Sequence, residues 1–175
     1  MSRLRCSVYI ATSLDGYIAR PDGGLDWLEP VQQTGEDYGY GAFWQSVDTL
    51  IIGRKTYETA LGFDTWPYSG KRCVVLTHGA PTPRHGEELY SGELGALVER
   101  LLAQGSRRVY VDGGSVITQF LAGGLIDDVT LSFVPVLLGG GIRLTQEIGH
   151  DVRLALTRTR AFDSGLVQVE YRVVS

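Results

Sequence analysis

Cysteine and histidine are scarce in this chain, at two and three residues. Cys6 and Cys73 lie far apart in apolar runs without CxxC spacing, so no disulfide framework and no thiolate metal site are expected. Both read as buried, reduced core residues. His78, His85 and His150 are scattered without HExxH or other ligand spacing, and no metal centre is expected. Long apolar runs are missing too. Val129 to Ile142, unsurpassed in length among the uncharged stretches, contains Pro135 and Gly139-Gly140-Gly141 and is too short to span a bilayer. The apolar segment from Cys6 to Ala11 meets Asp15 too soon to act as a signal peptide. A soluble, cytoplasmic protein with no membrane partner is the expectation.

Positive charge is also in short supply. Sixteen Lys plus Arg against twenty Asp plus Glu leave a net charge of −4, a poor match for a polyanion, so nucleic acid is not expected as a partner. No repeat, low-complexity tract or composition shift divides the 175 residues, and residues 1–175 read as a single domain. Apolar residues at 43% and charged residues at 21% are ordinary globular values. Glycine is the exception: 23 residues is nearly twice the usual share of ~7%. That excess points to many tight turns and to close approaches between backbone and ligand.

Hydrophobic patterning predicts strands over Leu4–Thr12, Val47–Gly53, Cys73–Thr77, Val109–Val111 and Val129–Leu138, with a closing hairpin formed by Val152–Phe162 and Leu166–Val174. Helices are predicted over Asp37–Val47, Arg54–Leu61, Glu93–Gln104 and Ser115–Ala122. The segment from Ala19 to Gly35, with Pro21, Asp22-Gly23-Gly24 and Pro30, reads as a long loop, and such loops are often functional. The order implies an α/β sheet, parallel in its middle and mixed at the C-terminal edge. Ligands of such sheets bind at the carboxyl ends of the strands.

Two of those ends share a design. Ile52-Gly53-Arg54-Lys55-Thr56 and Val111-Asp112-Gly113-Gly114-Ser115 each run from strand through glycine into helix. Free N–H groups at a helix start bind phosphate, and glycine lets the ligand approach. Taken singly, each could be an ordinary turn, and Arg54-Lys55 a solvated helix start. Together with Thr77-His78 at a third strand end, they suit a dinucleotide. GxGxxG is absent, and Gly70-Lys71 lacks the upstream glycine of a P-loop, which disfavours ordinary Rossmann dehydrogenases and P-loop NTPases. Ser115 misses the nucleophile-elbow pattern because Ile117 stands where its second glycine belongs, so hydrolysis is not expected.

Four stretches in order, Ser13-Leu14-Asp15-Gly16-Tyr17-Ile18-Ala19, Gly53-Arg54-Lys55-Thr56-Tyr57-Glu58, Val111-Asp112-Gly113-Gly114-Ser115-Val116-Ile117 and Val136-Leu137-Leu138-Gly139-Gly140-Gly141, resemble the dihydrofolate reductase-like superfamily. The similarity is greatest to the branch containing the reductase domain of the bacterial riboflavin-biosynthesis deaminase–reductase. The resemblance implies a three-layer αβα fold around a mixed sheet, with a parallel centre and an antiparallel C-terminal hairpin. It also implies an NADPH-dependent reductase acting on a small heterocycle, a pyrimidine or a pterin. Gly53, Arg54 and Thr56 would grip cofactor phosphates, and Arg54, Lys55, Thr77 and His78 would hold the 2′-phosphate. Gly113, Gly114, Ser115 and Val116 would lie under the pyrophosphate and nicotinamide, with Ala11 and Ile18 lining the nicotinamide pocket. Related reductase domains dimerise, and the long C-terminal hairpin would otherwise present an open edge, so a homodimer is expected.

Two departures bear on the substrate. The proline-tryptophan-proline loop of dihydrofolate reductases is replaced by Leu25-Asp26-Trp27-Leu28-Glu29-Pro30, and Lys71 stands where their folate-clamping arginine belongs. Lysine lacks the bidentate fork for a carboxylate, so a substrate smaller than folate is favoured. Asp37 matches the family's acid by position. It is either a helix cap or, if it faces the pocket, a buried proton relay of raised pKa. Trp27, Tyr38 and Tyr40 are either stacking surfaces for a planar substrate or core; Trp27, Tyr38 and Ser132 are the candidate substrate contacts. A silent nucleotide- or pterin-binding protein on the same fold is the alternative to a reductase, and an assembly protein the third reading.

Overall fold

A computed structural model describes residues 2–175. The chain runs β1 (Arg5–Ser13), β2 (Tyr17–Ala19), a 3-10 turn at Asp26–Leu28, α1 (Glu29–Gln32), α2 (Tyr40–Ser46), β3 (Thr49–Gly53), α3 (Arg54–Leu61), β4 (Arg72–Leu76), β5 (Glu88–Tyr90) and α4 (Leu94–Ala103). It continues with β6 (Arg108–Asp112), α5 (Gly114–Ala122), β7 (Asp128–Val134), β8 (Ile142–Arg143), β9 (Arg153–Ala161) and β10 (Val167–Val174). Eight strands form one sheet in the order β5-β4-β3-β6-β1-β7-β10-β9, and β2 pairs with β8 in a small second sheet. The strands from β5 to β7 are parallel, while β10 is antiparallel to both β7 and β9.

Alternation along the strands supplies two cores, as a sheet covered on both faces requires. Ile51, Val74, Val109 and Val111 point to one face and meet Leu97 and Leu101 of α4 and Ile117 and Phe120 of α5. Leu50, Ile52, Val75 and Tyr110 point to the other and meet Phe43 of α2 and Tyr57 of α3. The result is the expected three-layer αβα arrangement. Both cysteines are buried, and burial pushes each thiol up to about 12. They are inert core residues at neutral pH.

The sheet is not continuous at its carboxyl end. β1 pairs with β6 only from Arg5 to Ser7, where the partner of Ser7 is Tyr110. Beyond that point β1 follows β7 as far as Ser13, and β6 follows β3 as far as Asp112. In the gap, the Tyr110 hydroxyl donates to the Tyr9 carbonyl at 3.1 Å in place of a ladder bond. A cleft opens between the two strand bundles.

Several elements differ from the sequence expectation. The helix expected from Asp37 starts at Tyr40, because Tyr38 (φ 56°) and Gly39 (φ 84°) adopt the left-handed conformation that breaks it. β7 stops at Val134, before Pro135, rather than at Leu138. The loop after β2 is organised by a 3-10 turn and one helical turn, which seat Trp27 and Val31 on Val134 and Leu166. β2, β5 and β8 were not anticipated. In the reverse turn after β1, the Asp15 carboxylate accepts from the Ser13 hydroxyl and from the Leu138 and Gly139 amides, which ties the turn to the glycine-rich segment. At Gly141 (φ 137°) an added Cβ would lie 2.2 Å from the Ala19 carbonyl oxygen, so glycine is what lets β8 approach β2. No helix among the described residues is long and apolar enough to cross a membrane.

Candidate active site

A groove of about 1490 Å³ follows the carboxyl ends of the parallel strands. The strand order fixes the sequence of its wall: Thr77 and His78 after β4, Gly53 and Arg54 after β3, Asp112 and Gly113 after β6, Ala11 on β1 and Ser132 on β7. The two glycine–helix junctions named from the sequence therefore lie side by side. Neither α3 nor α5 has a side-chain cap, so the first amides of both helices are available to an anion.

Close contacts explain the residue types there. Gly113 has φ 104°, and a Cβ on it would lie 2.9 Å from Thr56 Oγ1. A Cβ on Gly114 would lie 2.6 Å from the Arg143 carbonyl oxygen and 3.4 Å from the Ile18 side chain, and one on Gly53 would lie 3.0 Å from Val116. Arg54 is exposed; its Nε donates to Glu58 Oε1 at 2.9 Å, and a Cβ on Gly79 would lie 2.9 Å from its Nη1. The guanidinium thus lies against the turn after β4. Thr77 is buried, with its hydroxyl accepting from the Gly79 amide at 3.1 Å, whereas Lys55, His78 and Ser115 line the groove and are exposed. The free helix starts, the glycine floor and the cations together fit the phosphates of a dinucleotide such as NADPH.

At the other end, Gln168 Nε2 lies within bonding distance of the Tyr9 hydroxyl (3.1 Å), the Tyr38 carbonyl (2.9 Å) and the Ser132 hydroxyl (3.1 Å). The Tyr9 hydroxyl also donates to the Tyr38 carbonyl. The Tyr38 hydroxyl donates to the Val31 carbonyl at 2.8 Å, and its ring stands edge-on to Phe162 with centroids 4.8 Å apart. Tyr38 therefore fastens the loop before α2 to the C-terminal hairpin while lining the groove.

Two site expectations are corrected. Trp27 is 5% exposed and packs with Val31, Val134 and Leu166 rather than lining the groove. The loop is polar on average, but its few large apolar residues fold inward. Asp37 does line the groove, yet it is exposed rather than buried, and its carboxylate accepts from the Gly39 and Gly41 amides at 2.9 and 3.2 Å. Those amides hold its pKa below the ordinary value, the opposite of the shift a proton relay needs. It caps the start of α2.

The carboxyl group with the environment of an acid is Asp112. It keeps one edge on the groove, but most of its surroundings are protein. Desolvation there raises its pKa to about 6 against a single opposing bond from the Gly113 amide. Tyr110, Tyr40 and Tyr68 lie close enough to feel its charge. The sequence carries a signal for it, an acid at a strand end directly before Gly113-Gly114.

The RibD C-terminal domain model matches residues 7–168. The uncharacterized protein YwjB of Bacillus subtilis is 37% identical over 168 residues, covering 94% of this chain and 95% of its own. The 2,5-diamino-6-ribosylamino-4(3H)-pyrimidinone 5′-phosphate reductase of Methanothermobacter thermautotrophicus is 34% identical over 89 residues, 46% of this chain and 41% of the reductase. A crystal structure from Shewanella sp. PV-4, of a protein provisionally placed in riboflavin biosynthesis, superposes with a TM-score of 0.92 at 36% identity, covering 98% of this chain and 100% of that one.

Asp112 has a stability signature. Its carboxyl ionises near 3.8 when unperturbed and at about 6 in the fold, so between those values the folded state binds the extra proton. Its contribution is then most favourable in acid and is lost as pH rises through about 6. Asp112→Asn is expected to raise stability at neutral pH by about 1–3 kcal/mol, with the advantage disappearing near pH ~4. Denaturant unfolding of both proteins across this range checks it; parallel curves would refute the raised pKa.

Proposed function

The chain belongs to the RibD C-terminal domain family, and from that premise we propose that it is an NADPH-dependent reductase of a small nitrogen heterocycle of pyrimidine or pterin type. The observation that carries this reading is the pair of uncapped helix starts beside Arg54 at one end of a groove, with an acid of raised pKa at its middle. The partial similarity to an archaeal pyrimidinone reductase supports the substrate class.

NADPH supplies the hydride when bound. The chain's residues bind, orient and move a proton. The α3 and α5 starts would take the phosphates, Gly113 and Gly114 would admit the cofactor, and Ala11 and Ile18 would line the nicotinamide pocket. Arg54, with Lys55, Thr77 and His78, would hold the 2′-phosphate. Reducing a carbon–nitrogen double bond adds hydride to carbon and a proton to nitrogen, and Asp112, raised to about 6, is a groove acid that keeps its proton up to that pH. Lys71 does not line the groove; its Nζ donates to the Val47 carbonyl at 2.6 Å and lies 5.3 Å from the Trp44 ring centroid. It offers no clamp for a folate tail.

The subunit is proposed to form a homodimer through β9. That strand is the outer edge of the sheet, mostly exposed, and carries Leu154 and Leu156 at 43% and 57% exposure. Light scattering at micromolar concentration should give twice the chain mass, and a monomer would exclude it.

The cofactor reading is tested by nicotinamide fluorescence with both cofactors. Each charge-assisted bond to the 2′-phosphate is worth about 1.5–3 kcal/mol, so Arg54→Ala should weaken NADPH binding roughly ten-fold or more and leave NADH binding nearly unchanged. Equal losses remove the assignment. Turnover is tested by oxidation of bound NADPH with a heterocycle panel; binding without oxidation would leave the protein a silent binder. For any substrate that is reduced, the rate should fall as pH rises through about 6. Asp112→Asn should lower it by ~10²–10⁴-fold and abolish that inflection. Asp37→Asn should keep the wild-type profile, since Asn caps nearly as well as Asp.

A further inference from the structure

The cations along the groove are unevenly placed, whereas its carboxylates run its length, from Glu58 paired with Arg54 to Asp22, Glu36, Asp37 and Asp112. Of the Lys, Arg and His in its wall, Arg54, Lys55 and His78 stand beyond β3 and β4, while Arg143 on β8 passes its carbonyl over Gly114 and holds its guanidinium over the Tyr17 ring, 5.4 Å from the centroid. The end walled by β1, β7 and the loop before α2 has no cation among the described residues, and it carries Glu36 and Asp37, with Asp112 at its border.

Cations near that end but outside the wall are engaged elsewhere. Arg20, between the wall residues Ala19 and Pro21, donates twice to the Asp26 carboxylate at 2.6 and 3.0 Å. The Arg160 guanidinium lies 4.8 Å over the Phe162 ring, and its charge reaches Asp37. Arg108 donates to the Ser46 and Ser7 hydroxyls and the Asp128 carboxylate, and Lys71 donates to a backbone carbonyl. What faces the ligand instead is neutral and flat. Tyr9 stacks on Phe43 with centroids 4.6 Å apart at 19°, beside Tyr40 at 5.8 Å from Tyr9. Ser132 and Tyr68 add hydroxyls to the wall.

We infer that this end takes a planar, neutral or cationic ring that presents N–H groups to Asp112 and bears no phosphate, and that phosphate esters of such rings are rejected. The inference rests on the cationic end being the NADPH end. A phosphate seated here would meet two or three carboxylates and no guanidinium fork, and like charges across a binding site are strongly unfavourable. An aminopyrimidine or aminopterin edge would meet acceptors and rings. The site would thereby differ from that of the archaeal relative, which is named for a 5′-phosphate substrate.

The test uses the full chain with and without saturating NADPH. Isothermal titration compares 5-amino-6-ribitylaminouracil with its 5′-phosphate, and includes 2,4-diaminopyrimidine as a phosphate-free ring. The dephosphorylated compound should bind at least about ten-fold more tightly than its phosphate at low salt. The gap should narrow in ~0.5 M salt, where repulsion is screened. Asp112→Asn should weaken 2,4-diaminopyrimidine and narrow the gap, and Glu36→Lys, at an exposed loop position, should raise affinity for the phosphate ester. Equal or tighter binding of the phosphate ester overturns the inference, as does failure of every phosphate-free ring to bind at millimolar concentration. NADPH titrated alone reports on the cofactor reading separately, so a protein that sorts the rings as expected but ignores NADPH would lose only that reading.

Discussion

The parting of β1 from β6 is the constraint on which the site depends. Two parallel strands of a buried sheet normally pair along their common length, because an unpaired interior backbone is costly. Here pairing ends at Ser7 and Tyr110, although both strands run on. Each retains one full partner, β7 for β1 and β3 for β6, so only one edge of each is freed. The Tyr110 hydroxyl takes up the Tyr9 carbonyl across the opening. The tyrosines on either side, packed with Phe43 of α2, keep the strands from closing again. Without that split, Asp112 would be one more ladder residue, and the two glycine–helix junctions would face a flat sheet end.

The split also explains why the loop before α2 is held as it is. Its backbone closes the far end of the cleft, and its anchors come from distant parts of the chain: Gln168 on β10, Tyr9 on β1 and Phe162 in the last hairpin. Tyr38 takes a left-handed conformation, a local cost offset by bonds at both its carbonyl and its hydroxyl. The left-handed pair Tyr38-Gly39 postpones α2 and leaves Asp37 outside the helix, where its carboxylate turns back to the Gly39 and Gly41 amides.

The long elements were legible because they bury one or two faces and their period shows it. The strand Thr49–Gly53 and the helices α3, α4 and α5 lie within a residue or two of where patterning puts them. The short strands β2, β5 and β8, two or three residues each, carry no period at all and exist only because a partner lies beside them. The two strand–glycine–helix junctions were legible as well, since such a turn is a local matter of residue type. The opposite end of the groove was not. Whether Trp27 faces ligand or core depends on what its loop folds against, which here is Val134 and Leu166. Whether Asp112 is solvated or enclosed depends on which strands are neighbours and where they part.

The two aspartates show how far environment outweighs residue type. Asp37 sits at the position a family resemblance assigns to an acid, yet it is exposed and accepts two amide bonds, and both conditions favour the charged form. Asp112 has one amide bond and an enclosure of phenol rings, and desolvation raises it to about 6. A group that must give up a proton near neutral pH needs the second environment, and the split sheet creates it at one strand end. The same enclosure brings a cost in charge: a carboxyl poised to ionise beside Glu36 and Asp37, at the end of the groove away from Arg54 and Lys55, makes a further anion unwelcome there. On the proposed reading, proton supply and substrate choice are therefore one electrostatic arrangement, with Arg54, Lys55 and His78 at one end of the groove and the enclosed Asp112 toward the other.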